Sequence, residues 1–589
     1  MRRALGVMFG LSVTAAGFAQ PAATGPAIEL QSLLDDAWAR DMREDPLRAA
    51  YLGDRRSERS WPDMSAAAID QRQADNKATL ARLEKINRAS LSAQEQLSYD
   101  LFATDYRSRI GSYPFKPYLY DIRPRDGLHA FSELPEVLPL DTVADYEAWI
   151  ARLRGIDKYV GQYQSLLEMA IREKRTQPKV IMEFVATGLK QLVAAEGENN
   201  AFYDPFKRIP ATIPEGEHAR LQAAGKAAIA EVVLPSYKRF EKFFREKYLP
   251  ACRTTVGIWD TPDGAAFYRE RAAFHTTTKL TPDEIHELGL KEVARIRGEM
   301  EQIIRQVKFQ GSFADFLQFL RTDPQFYFTS SEELFREYVI IAKRIEPELV
   351  KLFSTLPRTP YGVRSIPMTS APYTTTAYYM GPAGDGTRAG FYYVNLYRPE
   401  VRPKYEMEVL TVHEAVPGHH LQIALAQEQS DLPIFRRNAD YTAYVEGWAL
   451  YTESLGADLG LYKDPYSKFG QLTYDMWRAV RLVVDTGIHA KRWTRQQAID
   501  YFKANAAKTE ADIINEVDRY IAWPGQALAY KIGQLKILEL RAYAQKQLGS
   551  GFDIREFHDA VLKNGAIPLE QLDTLVRDWV RRKTATATK

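Results

Sequence analysis

Apolar residues recur at helical spacing through most of the chain. In the clearest run, Ile285, Leu288, Val293 and Ile296 follow Thr281 on one face. Ser92 with Glu95, Thr281 with Glu284, Ser330 with Glu333 and Thr494 with Gln497 have the spacing of capping boxes, which mark helix starts. The pattern breaks after Leu356. Pro357, Pro360, Pro367 and Pro372 interrupt any helix, and two Tyr-rich extended runs, residues 373–379 and 391–397, flank the turn-like residues 381–390. Helical spacing returns over residues 406–416, through Val409, Val412 and Val416, and again around residues 444–451, after the turn at Asp431-Leu-Pro433. The expectation is a mainly α protein, a large helical body with a β-hairpin or small sheet at about residues 373–397.

Composition changes this picture little. The 589 residues are 45% hydrophobic and 26% charged with net charge +2, so a large core is affordable and no basic excess invites nucleic acid. Arg2 and Arg3, the apolar residues 4–16 and Gly17-Phe18-Ala19 read as a cleavable export signal over residues 1–19, which places the mature chain in the periplasm. No later run is long enough to span a membrane, and the lone Cys252 excludes an intramolecular disulfide and reads as buried packing. The weakest joint, residues 250–262, divides an N-terminal helical half (20–256) from a catalytic helical half (257–589) that carries the β element. Oligomeric state is not encoded in any of these features.

Three of the nine histidines fall within eight residues, in His413-Glu-Ala-Val-Pro-Gly-His-His420. Neutral imidazole is a common zinc ligand, and a His-Glu pair on a helix joins a ligand to a general base, here Glu414. Pro417 occupies the position of the second histidine of HExxH. A straight helix would carry His420 about 10.5 Å from His413 along its axis, too far to share one ion, but Pro417-Gly418 breaks helices. A bulge of two residues returns His419 to the ligand position, and one of three returns His420. Glu446 is the candidate third ligand, and Glu453 is the candidate acceptor that orients a ligand histidine. An exposed strand edge ahead of the His-Glu helix can hold an extended peptide by main-chain hydrogen bonds, with Tyr378 and Tyr393 as substrate contacts.

HEAVPGHHLQ, EGWALY and RYIAWPGQALAY together resemble the bacterial domain of unknown function 885 family over most of the mature chain. More remotely, the pattern is similar to the helical gluzincin peptidases of the angiotensin-converting enzyme, thimet oligopeptidase and Taq carboxypeptidase groups. That resemblance implies a deep channel, one Zn2+ per chain, Glu446 as the glutamate ligand, and an exopeptidase or oligopeptidase acting on short peptides. It also implies an oxyanion partner from the C-terminal segment, Tyr520 first and Tyr530 second, with Arg519 binding a substrate carboxylate or pairing with Glu516 or Asp518. By the same resemblance, Gly418 just before and Leu421 two after His419, as in the HExGHxL of such peptidases, favour His419 over His420. Leu450 stands where the converting enzymes have a supporting aspartate, so that role passes to Glu453 or another group. Two other readings share these residues: a catalytically silent peptide-binding protein, and a metal-dependent hydrolase of non-peptide amides or esters.

Overall fold

The computed structural model describes residues 25–587 except 369, 370, 374 and 385, so the expected export signal lies outside the described residues. Helices dominate. Ser92, Thr281 and Thr494 form full capping boxes, whereas Ser330 accepts from the Glu332 and Glu333 amides without a return bond from the Glu333 side chain. Among the described residues no helix is long and apolar enough to cross a membrane.

Seven helices and three strands of the C-terminal half matter for the site: α1 (Pro282–Gln306), β1 (Tyr361–Ser365), β2 (Ala377–Met380), β3 (Gly390–Val394), α2 (Met407–Glu414), α3 (His419–Glu428), α4 (Thr442–Glu453), α5 (Pro465–His489), α6 (Glu510–Ala522) and α7 (Ala529–Leu548). At the centre is α5, buried at every position from Phe469 to His489. A Cβ on Gly289 of α1 would lie 2.7 Å from the Leu482 Cβ, so glycine lets α1 pack directly on α5. The largest hydrophobic cluster runs from Ile69 to Val580 and draws on both halves of the chain. Cys252 is buried in it, and burial pushes its thiol up to about 12, consistent with packing.

The β element has one strand more than expected. Its order is β1-β3-β2, with β1 parallel and β2 antiparallel to β3, and Tyr378 pairs with Tyr393. The prolines around residues 357–367 therefore bracket a strand; spacing alone marks them only as helix breakers. The edge strand β2 contributes to the site described next.

Helices α4 and α7 meet backbone to backbone. A Cβ on Gly533 would lie 1.8 Å from the Ala443 carbonyl oxygen, and one on Gly447 would lie 2.5 Å from the Gly533 Cα. Glu446 adjoins Gly447, and Tyr530 lies one turn before Gly533, so this glycine contact sets both side chains at the same wall.

Candidate metal centre

The helix that carries His413 stops at Glu414, two residues short of the expected 416, and a new helix begins at His419. Across the break the Gly418 amide donates to the Val412 carbonyl, and the His420 amide donates to the Ala415 carbonyl. Trp448 of α4 donates its indole N–H to the Pro417 carbonyl at 2.9 Å and anchors the turn. A Cβ on Gly418 would lie 1.9 Å from the His413 carbonyl oxygen. Gly418→Ala is therefore expected to destabilise the protein by at least about 1–3 kcal/mol and to weaken metal binding. Thermal melting and metal titration check this, and an unchanged melting temperature with unchanged affinity contradicts it.

The break brings His419 level with His413. The Nε2 atoms of His413 and His419 stand 3.6 and 3.5 Å from Glu446 Oε2, and the three donors lie within 4.8 Å of one another. Those separations are long for hydrogen bonds. They match tetrahedral donors around one ion, which stand roughly 3.3–3.6 Å apart for bonds of about 2.0–2.2 Å. Glu446 Oε2 is buried without a hydrogen-bond partner, which fits a ligand atom. Behind the group, His413 Nδ1 lies 2.8 Å from Glu453 Oε1, so Glu453 fixes the ring with Nε2 toward the centre, the role the sequence assigns it. Burial alone would lower the His413 pKa, but the Glu446 and Glu453 carboxylates outweigh it and push it up to about 9. Two carboxylates enclosing an imidazole favour a positive charge, which a bound cation supplies in place of the proton.

His420 points elsewhere, which corrects its place among the candidate ligands. Its Nδ1 accepts from the Tyr379 hydroxyl at 2.8 Å and its Nε2 donates to the Thr359 carbonyl at 3.0 Å. A Cβ on Gly390 would lie 2.3 Å from the Tyr379 hydroxyl oxygen, so glycine leaves room for this bond.

A cavity of about 560 Å³ opens over the group. Its wall includes His413, Glu414, His419 and Glu446, the consecutive residues Thr375, Thr376, Ala377, Tyr378 and Tyr379 around β2, and Tyr530, Arg519 and Arg481. The half-buried Glu414 carboxylate makes no hydrogen bond among the described residues. Tyr378 reaches the cavity, but Tyr393, stacked on it with ring centroids 4.9 Å apart, is buried in a separate apolar cluster and is a support for Tyr378 instead of a substrate contact. Strand alternation alone does not tell which ring of a cross-strand pair faces open space.

Tyr520 also needs correction. It is buried, absent from the cavity wall, and its hydroxyl accepts from Trp477 Nε1 and Arg481 Nε while donating to Glu516 Oε2 at 2.8 Å. Tyr530 does line the cavity, and among the described residues its hydroxyl has only a 3.5 Å contact from Gln526. Of the two candidate tyrosines, Tyr530 is the one that lines the cavity. Arg519 pairs with Glu516 at 3.0 Å and donates to Gln526 at 2.7 Å.

Sequence reasoning passed over Asp440, Arg478 and Arg481. Asp440 lines the cavity, and burial, reinforced by Glu446, raises its pKa. Arg478 and Arg481 lie one turn apart on α5, and charged residues inside a helix with so many apolar neighbours are a legible signal of a polar site against it.

Fold and site together define a class: a mainly helical protein with two histidines and a glutamate grouped to hold a metal ion in the wall of a cavity. The chain belongs to the family described as bacterial protein of unknown function (DUF885), whose profile matches residues 46–576. A solved structure described as a "putative lipoprotein" from Colwellia psychrerythraea is similar at 32% identity and TM-score 0.89, over 94% of this chain and 99% of that one. A second, a "putative lipoprotein of unknown function" from Shewanella oneidensis, shares the fold at 19% identity and TM-score 0.68, over 94% of this chain and 100% of that one. No curated protein matches the chain.

Proposed function

We propose that the protein is an exported zinc metallopeptidase that hydrolyses short peptides. The observation that carries this reading is the placement of Glu414, a carboxylate with no hydrogen-bond partner, in the same cavity wall as the His413–His419–Glu446 group. A binding protein has no need of that carboxylate. Nitrogen and oxygen donors at this spacing suit zinc, and the ligand pattern parallels the gluzincin resemblance. The edge strand β2 in the wall favours an extended peptide over a compact ester, because its outer main-chain groups can pair with a substrate backbone. Export is supported by the leader-like first residues and by the description of both structural relatives as lipoproteins.

A bound zinc ion would supply Lewis acidity, lowering the pKa of water to about 7 and polarising a carbonyl. The chain's own residues do the rest. Glu414 takes the proton of the attacking water and returns it to the leaving amine. The Tyr530 hydroxyl donates to the carbonyl oxygen as charge develops there. Glu453 holds the His413 ring in the ligating orientation. The test is hydrolysis of a short-peptide library by the purified mature protein. Cleavage that a chelator removes and zinc restores supports the reading, and cleavage indifferent to chelation overturns it.

A further inference from the structure

A second cavity, of about 740 Å³, adjoins the metal cavity, and Asp440 and Thr442 line both. Thr442 opens α4 and stands one turn, roughly 6 Å of rise, before Glu446 of the metal group. The second cavity therefore begins about two extended residues from the metal group, at roughly 3.3–3.6 Å per residue. Its remaining walls draw on helices that the metal group does not use, Gly25–Glu44, Pro46–Tyr51 and Gly264–Thr276.

The wall includes the aromatic residues Trp38, Tyr51, Phe274, Phe435 and Tyr441. Phe274 and Tyr51 are 45% and 40% exposed, among the few large apolar side chains left uncovered in the described residues. Rings open to water in this way cost free energy that an apolar ligand group would recover. Three of the rings are held by guanidinium groups. The Cζ of Arg48 lies 5.5 Å from the Trp38 ring centroid, that of Arg388 5.8 Å from Tyr51, and that of Arg271 4.5 Å from Phe274. Arg388 also donates to the Tyr51 carbonyl at 3.3 Å, which ties this ring to the turn between β2 and β3. The rings are thus in place before a ligand arrives.

The charged groups of the wall are largely spent on one another. Arg109 pairs with Asp41 and Asp105, each at 2.9 Å, and Lys279 pairs with Glu570 at 3.3 Å. Arg48 and Asp440, which make no ion pair among the described residues, are of opposite sign. With four carboxylates to three cations, the wall has no surplus cation to attract an acidic side chain. Aromatic surface is what it has to offer.

We propose that this second cavity is a specificity pocket, in which Trp38, Tyr51 and Phe274 receive an aromatic or large aliphatic side chain of the bound peptide. Cleavage of that peptide rests on the peptidase reading, whereas the pocket stands on its walls and on the shared residues Asp440 and Thr442. A peptide in the metal cavity reaches the pocket by extending past Thr442, so one ligand occupies both.

Binding is measured by calorimetry on the full mature protein carrying Glu414→Gln, a change that keeps the metal and slows turnover. The probes are pentapeptides of alanine in which one position, each in turn, is Phe, Lys or Asp. At one position Phe is expected to tighten binding about tenfold to a hundredfold over alanine, from the apolar area it buries. Lys and Asp there are expected to bring no gain. Phe274→Ala and Trp38→Ala, each in the same background, are expected to remove most of the Phe gain. Metal content and affinity for the all-alanine peptide should stay unchanged in both. Phe274 is 45% exposed, so its truncation uncovers little packed surface. Equal affinity for the Phe and alanine peptides at every position overturns the proposal, whether or not the variants fold. So does a Lys or Asp gain equal to that of Phe, or a Phe gain that survives both truncations. Hydrolysis by the native protein, followed separately, tells the two claims apart. Cleavage with no preference for Phe at any position leaves the peptidase standing without the pocket. Phe-selective binding with no cleavage of any peptide leaves the pocket without the peptidase.

Discussion

Glu414→Gln is expected to lower kcat/KM for peptide hydrolysis by about 10²–10⁴-fold, with metal content unchanged. The size of the effect follows from what glutamine keeps and loses. It preserves side-chain volume at the end of α2, so the break at Pro417-Gly418 and the positions of His413 and His419 are retained. It removes the only basic oxygen that the His-Glu pair presents to the cavity without a hydrogen bond. Glu446 cannot take over, because its Oε2 belongs to the metal group, and Glu453 is held behind His413. Steady-state kinetics beside elemental analysis reads both halves of the expectation. A variant that keeps native turnover contradicts proton transfer by Glu414, and one that loses metal along with activity reassigns Glu414 to a structural role.

The second large effect is acid unfolding. His489 is buried with Nδ1 accepting the Ile258 amide and Nε2 donating to the Tyr520 carbonyl. His558 is buried with Nδ1 donating to the Leu352 carbonyl and Nε2 accepting from the Tyr451 hydroxyl. Each ring is locked as a neutral tautomer, since a second proton would face a donor. His275 is buried with neither nitrogen bonded. Burial lowers each of the three to about 3, with Arg271 and Arg123 assisting at His275, Arg253 at His489 and Arg541 at His558. Carbonyl bonds oppose the shift at His489 and His558 without cancelling it. A depressed folded pKa means that stability is complete above the unfolded value of about 6.5 and is lost as pH falls toward 3, because the unfolded chain binds protons that the folded one cannot. Each histidine contributes a slope of about 1.4 kcal/mol per pH unit in that window, and three together amount to several kcal/mol by pH 5. That is comparable with a whole folding free energy. Denaturant melts at pH 7 and pH 5 should show this loss, and His558→Gln, if it folds, should flatten the slope by about one proton. Equal stability at the two pH values contradicts the assignment.

How much of this was legible in the sequence depends on how local each feature is. Helix starts are local: Thr281 and Glu284 meet within one turn, and the capping box forms as spaced. Glu446 and Glu453 were legible because they lie seven residues apart, two turns along one face of one helix. The choice between His419 and His420 was open to spacing, because it depends on the path of the chain through Pro417-Gly418 and on Gly390 and Tyr379, which draw His420 aside. The inward or outward sense of Tyr393 and Tyr520 was not legible for a similar reason: what faces a tyrosine is decided by elements remote in sequence. Arg481 went unnoticed because its role is visible only beside Glu516, Arg519 and Tyr530, which arrive from α6 and α7. The parallel strand β1 was hidden by its flanking prolines, and its pairing partner β3 follows only after β2.

Metal content of the purified mature protein, measured by elemental mass spectrometry for the native chain and for His419→Ala and His420→Ala, tests the central claim most directly. One zinc per chain is expected in the native protein, with that zinc lost in His419→Ala and retained in His420→Ala. Zinc retained in His419→Ala but lost from His420→Ala, or a native protein that takes up no metal when zinc is supplied, would contradict it.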